Sequence, residues 1–401
     1  MTNSVASTLP NLPASAPRPL RILVSGMIAA DPQQGGATWA VLQYVLGLQR
    51  LGHEVCFVEP IAEKALRPAG GTLAESVNAA YFRAVVADFG LAGRAALLLA
   101  GTQETVGLTH AELRASAQRA DVLLNISGML ADPALLEPIR TRVYLDLDPA
   151  FIQLWHSAHG IDMRFAAHTH FVTVGRGLGT ADCPIPTCGR AWIPTFQPVV
   201  LGEWPVADRV EHDALTTIGH WRGYGSVEHE GRHYGQKAHS FREFFALPKL
   251  CAEKFQPALA IHPGEEKDLA ALAENGWNVL APAAVAGTPH AYRRFVQGSK
   301  AELGIAKSGY VHARSGWFSD RSACYLASGR PVIAQETGFS RELPVGEGLF
   351  AFQTMEEIIA AIDAMNRDYA RHARAARSVA EEFFDSRKVL ARLLNAVEAA
   401  A

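Results

Sequence analysis

The chain is predicted to fold as two α/β domains in series, each built on an open parallel sheet. Three observations predict it. At 401 residues the chain is too long for one ordinary core, since domains average about 150 residues. Short apolar runs alternate with segments of helical period, and this series starts twice. A proline-bearing stretch with little helical period separates the two series.

The first series opens with residues 20–24 (LRILV), an apolar run read as a strand. A polar, Gly-containing loop follows, from Ser25 to Gly36. Val41, Leu42, Val45, Leu46 and Leu48 then repeat near the 3.6-residue period, and Gly52 stands where a helix stops. Residues 54–59 (EVCFVE) form a second strand, so the chain begins strand, helix, strand. Residues 121–126, 142–147 and 171–174 read as further strands. Pro194, Pro198 and Pro205 place the linker at 195–213. The second series restarts at 215–219 (LTTIG), with later strands at 259–261, 277–280, 302–305 and 331–334. Thr354 with Glu357 makes a capping box for a helix running to about residue 366. The expected domains are 20–200 and 214–368, followed by terminal helices over 369–401.

Composition excludes several classes. Net charge is −3 with 19% charged residues, which argues against a nucleic-acid partner. The five cysteines are odd in number and lack CxxC spacing, so neither a disulfide framework nor a structural zinc site is expected, and the compartment reads as a reducing cytoplasm. Residues 1–19, rich in Ser, Pro and Ala, lack the hydrophobic run of a signal peptide and read as a disordered tail. No apolar run reaches the ~18 residues of a transmembrane segment; the Ala- and Leu-rich run at 95–100 is far shorter.

Five stretches can carry chemistry. The Gly35-Gly36 pair before a helix suits either close backbone approach to a ligand or a flexible helix start. The G-x-G-x-x-G dinucleotide fingerprint is missing, which counts against a nicotinamide enzyme. Residues 218–237 follow the first strand of the second series. There Gly219 leads to Arg222 and Lys237, which can neutralise a diphosphate, while the segment between them has hairpin character. In 315–331, Ser319 and Asp320 are N-cap residues, and Gly329 with Pro331 stops the helix; its N–H groups can receive a phosphate, or Asp320 and Arg321 simply pair. In 335–348, Glu336 and Glu342 either meet sugar or ribose hydroxyls or lie on a surface loop. In 146–170, Asp146 and Asp148 end a strand as DLDP, with His156, His159, His168 and His170 after them. An acid there can serve as a general base, or the group can brace the sheet. A third metal ligand of matching geometry is not evident, so no metal is expected.

Residues 302–352 carry a family resemblance. Ala327, Gly329, Pro331, Val332, Ile333 and Ala334, then Gly338 and Glu342, resemble the C-terminal signature of GT-B glycosyltransferases, especially the branch named after spore-maturation proteins. The run QQGGATWAVLQYVLGLQRLGHEVCFVE resembles the opening unit of such enzymes. The resemblance implies two Rossmann-like domains facing across a cleft. It implies a nucleoside-diphosphate sugar as donor, an unidentified acceptor and no cofactor. It places Arg222 and Lys237 on the diphosphate, Ser319, Asp320 and Ser322 at the donor-facing helix start, and Glu342 near the ribose or sugar. Gly36 and Gly219 join these as donor-side positions, and Asp148 is the expected acceptor-side base. One departure stands out. Many retaining members carry two glutamates eight positions apart, and here Gly316 and Cys324 occupy those places. Retention and inversion both stay open, as do two alternatives: a nucleotide-sugar epimerase on the same fold, and a non-catalytic nucleotide-sugar-binding relative.

Overall fold

The computed structural model describes residues 18–400, so the expected disordered tail, 1–19, lies outside the described residues except for its last two. The first sheet holds β1 (Arg21–Ser25), β2 (Glu54–Ile61), β3 (Ala95–Leu99), β4 (Thr105–Gly107), β5 (Val122–Ile126), β6 (Thr141–Asp146), β7 (His170–Thr173) and β8 (Trp192–Pro194). Its order is β4-β3-β2-β1-β5-β6-β7-β8, parallel throughout except for β4 against β3. A second unit contains β9 (His212–His220), a hairpin of β10 (Val227–His229) and β11 (Arg232–Tyr234), then β12 (Phe255–Ala260), β13 (Ser299–Gly304), β14 (Val332–Gln335) and β15 (Leu349–Phe352). Its sheet runs β12-β9-β13-β14-β15, all parallel. The strand order reverses between β1 and β5 in one sheet and between β9 and β13 in the other. Open parallel sheets bind ligands beyond the carboxyl ends of such strands.

Local sequence explains most elements. The Ala- and Leu-rich run at 95–100 becomes β3, an inner strand between β2 and β4 whose Leu97 and Leu98 are buried. The helix Gly35–Arg50 ends as its periodicity predicts, with Gly52 at φ 88°. The helix Asp320–Ala327 stops before Gly329, at φ 69°. Residues 277–280 depart from expectation. They run beside β12 but bridge it only at Ala258 and Leu280, so they are not a strand. The segment read as a linker is packed: Val199, Val200 and Trp204 are buried, and the Val200 N–H donates to Gln43 Oε1 at 2.7 Å.

Apolar packing joins the two units at two places. The larger is a core shared by both, in which the helix Gly35–Arg50 packs on the helix Pro289–Gly298 and on the final helix Ser386–Ala399. Trp39 meets Trp204 edge-on at 5.0 Å and donates to the Pro289 carbonyl at 2.8 Å. A Cβ on Gly35 would lie 2.4 Å from the Thr288 carbonyl oxygen, and one on Gly36 would lie 2.8 Å from the Tyr292 ring. This glycine pair is therefore required by the approach of the second unit, a packing reason that outweighs the flexible-loop reading. The second junction is formed by the β10–β11 hairpin. Its Val227 and Tyr234 bury against Phe151 and Leu154 of the helix Phe151–Ser157.

The loop before the first helix is fixed from beneath. Glu59, wholly buried on β2, accepts from the Ala29 N–H at 2.8 Å and from the Ala30 N–H at 2.6 Å, and Asn78 donates to the Ala29 carbonyl at 2.8 Å. Burial pushes the Glu59 carboxyl up to about 7, although those N–H groups pull it down.

Two predictions follow from this packing. Gly35→Ala should cost about 1–3 kcal/mol in urea unfolding, because backbone atoms cannot move aside as a side chain can; a neutral result would refute the close approach. For Glu59, the folded form holds a proton that the unfolded chain releases between its ordinary range and pH 7. Stability should therefore fall as pH rises through that window, by about 2–3 kcal/mol from this group. Glu59→Gln should lack this component when unfolding is compared at pH 5 and pH 8. Identical pH dependence in the two proteins would show that the carboxyl is not held protonated.

Candidate active site

A cleft of about 650 Å³ lies between the two units, where both strand-order reversals face each other. Met27 and Ile126, Ser127 beyond β1 and β5 line one wall. Ile218, Gly219 and His220 at the end of β9 line the other, with Lys307 just after β13. A second concavity of about 710 Å³ sits at the amino ends of the first sheet's strands, near Arg21, His53 and Glu54. That is the edge opposite to where open parallel sheets bind ligands, so the interdomain cleft is the stronger candidate.

The cleft gathers most of the residues singled out in the sequence. Gly36, Asp148, Gly219, Arg222, Lys237, Ser319 and Asp320 all line it. Lys237 begins the helix Lys237–Phe241 and runs its stem past Gly219, where a Cβ would sit 3.2 Å from Lys237 Cε. Its ammonium donates to the Ile305 carbonyl. Burial, with Arg321 nearby, holds its pKa well below the usual lysine range. Arg222 is half-exposed and paired with Glu265 of its own domain. Ser319 stands at the N-cap of the helix Asp320–Ala327, but its hydroxyl does not cap it, contrary to the expected role. Asp320 begins that helix, and burial raises its carboxyl despite the adjacent Arg321.

Two expected residues are elsewhere. Ser322 is buried inside the helix and does not line the cleft. Glu342 follows the turn Phe339–Arg341 and pairs with Arg176 of the first unit, outside the cleft. The hairpin read between Arg222 and Lys237 is present as β10–β11, and its buried Val227 and Tyr234 make it a domain contact.

The acids and histidines of the DLDP stretch divide by burial. Asp146 is buried and accepts from Gln153 at 2.9 Å and Thr173 at 2.8 Å; burial raises it to about 7. His168 contacts Asn125 at 3.0 Å and the Arg164 carbonyl at 2.8 Å, and burial lowers it to about 4. Both brace the sheet. Asp148 alone reaches the cleft. Its Oδ1 accepts from Tyr224 OH at 2.5 Å and from Tyr310 OH, and lies 3.7 Å from Lys307 Nζ. Burial, then Asp148 itself, raises both phenols well above their usual range, so they stay protonated as donors.

Sequence reading missed Lys307 and Arg321 as cleft cations. Lys307 lies three residues beyond β13, and that position past a strand end was the available signal. Arg321 is partly buried, pairs with Glu302 on β13 and donates to the Ile218 carbonyl at 2.8 Å. Its other signal, Glu302, reads as an ordinary strand residue in the sequence.

No protein-family model and no curated protein matches the chain. Solved structures do. Anabaena HepE in complex with UDP and glucose superposes with a TM-score of 0.61 at 12% identity, covering 95% of this chain and 100% of that one. An alpha-glucosyltransferase in complex with UDP-glucose and DNA gives 0.58 at 12%, over 94% and 99%. A glycosyltransferase from Rickettsia africae gives 0.53 at 12%, over 96% and 99%. With the sheet orders above, these likenesses establish the architecture: the chain has the GT-B fold, two Rossmann-like α/β domains facing across a cleft.

Proposed function

We propose that the chain is a glycosyltransferase that moves a sugar from a nucleoside-diphosphate sugar to an acceptor hydroxyl. The observation that carries this reading is the convergence of Arg222, Lys237, Lys307 and Arg321 with the carboxyl ends of β9 and β13 in one interdomain cleft. Clustered cations in a partly dry cleft stabilise a leaving diphosphate far better than they would in water. Solved neighbours hold UDP or UDP-glucose, which makes UDP the first nucleotide to test.

In this reading the diphosphate lies against Arg222 and Lys237, beside the first turn of the helix Asp320–Ala327. The acceptor oxygen bonds to the sugar's anomeric carbon as the bond to the diphosphate oxygen breaks. The diphosphate leaves with the electron pair, and its charge is met by the cations. Asp148 takes the acceptor's proton: Oδ1 carries its polar contacts, and Oδ2 has no partner among the described residues. The net charge of −3 supports an acceptor other than nucleic acid, although one structural neighbour holds DNA. Free cysteines at Cys56, Cys183, Cys188, Cys251 and Cys324 support a reducing, cytoplasmic setting. Among the described residues no helix is long and apolar enough to cross a membrane.

A thermal-shift panel of UDP, GDP, ADP, dTDP and their sugars tests the reading, because a ligand of the folded state raises its melting temperature. One nucleotide should stabilise the wild type. Arg222→Glu and Lys237→Met should each weaken it by about 10- to 100-fold, as loss of a charge-assisted contact implies. A chain indifferent to the whole panel, or variants that bind as the wild type does, would sink the proposal.

A further inference from the structure

Lys307 differs from the other cleft cations in what balances it. Arg222 pairs with Glu265 and Arg321 with Glu302, both on their own domain. Lys237 has a backbone carbonyl. The carboxylate near Lys307 is Asp148, on the facing domain. The rest of its surroundings are aromatic: its ammonium lies 3.8 Å from the Tyr224 ring centre, 5.2 Å from Tyr310 and 5.3 Å from Phe151, and it donates to the Tyr224 hydroxyl. Such faces attract a cation but do not neutralise it.

The ion pair itself is long. At 3.7 Å it exceeds hydrogen-bonding distance, so Asp148 and Lys307 attract without a direct bond. A phosphate oxygen seated at about 2.8 Å would gain about 1.3 times the Coulomb energy at equal dielectric, and a hydrogen bond besides. Asp148 is meanwhile held on one oxygen by two phenols of the second domain. One ammonium thus faces two prospective anions across the same cleft.

We propose that Lys307 is a diphosphate-binding residue that Asp148 guards, so that donor binding draws Lys307 away and leaves Asp148 to the acceptor hydroxyl. This rests on the donor-site reading above and adds to it a competition between the donor and Asp148 for one ammonium.

Calorimetric titration with UDP tests it, or with whichever of GDP, ADP and dTDP the wild type binds. Lys307→Met should weaken binding by about tenfold or more, as loss of a charge-assisted contact implies. Asp148→Asn should tighten it by about threefold or more, since the competitor's charge is gone. In the double variant Asp148→Asn should have no further effect, because its influence runs through Lys307. Lys307→Gln repeats the arm if Lys307→Met does not fold, as judged by its melting without ligand. Unchanged affinity in Lys307→Met, no tightening in Asp148→Asn, or equal tightening with and without Lys307 would each overturn the competition while leaving the donor site intact. A wild type that binds none of the four nucleotides overturns both.

Discussion

Positive charge held out of water at the end of β13 is the constraint on which the site depends. Lys237, Lys307 and Arg321 line one cleft, and Glu302, with no exposed side-chain surface, is the buried anion beneath them. Its Oε1 meets Arg321 and Thr217, while Oε2 has no partner among the described residues. Removing several cations from water costs more than one carboxylate returns. Burial accordingly lowers the pKa of Lys237 and Lys307. A multiply charged anion entering the cleft would reverse this balance, which makes a diphosphate a better match than a neutral sugar alone.

The same segment ties that charge to the closure of the two domains. Between β9 and the helix that opens with Lys237 the chain inserts the β10–β11 hairpin, and its apolar side chains lock onto the first domain. Arg222 and Tyr224 precede the hairpin and Lys237 follows it. Cleft opening at this junction must therefore move the loop that presents the cations. On the far side, the helix Gly35–Arg50 joins both domains in one core, with Gly35 and Gly36 setting the approach distance. On that side Trp39, Trp204 and Tyr292 are buried in one core, so parting the domains there would expose apolar surface.

The fold was legible because parallel-sheet grammar is local: apolar runs, polar strand ends and glycine stops recur at a regular pitch. The cleft lining was legible where it obeyed the strand-end rule, at Asp148, Gly219 and Arg222. It was illegible where partners come from afar. Nothing near Glu342 announces Arg176, which takes it out of the cleft. Nothing near Gly36 announces Tyr292. Strand 277–280 failed for a related reason, since an apolar run of that length fits an edge segment with one bridge as well as a full strand.

Domain packing also accounts for the two missing glutamates. Gly316 has φ 74°, and a Cβ there would lie 2.9 Å from the Gly177 nitrogen of the first domain, whose neighbouring loop is already bonded through Gly177 N–H to the Ser315 carbonyl at 2.7 Å. No side chain fits that position without parting the domains. Cys324 is buried beneath the helix Gly35–Arg50, where Gln43 donates to its sulfur at 3.6 Å. A carboxylate in its place would be desolvated beneath that helix, and Arg321, the nearby cation, is already paired with Glu302. Both positions have been given over to joining the domains. The acid that the helix Asp320–Ala327 still presents to the cleft is Asp320, at its first turn, so under the proposed function that carboxyl and the backbone N–H groups beside it are what this helix offers a donor.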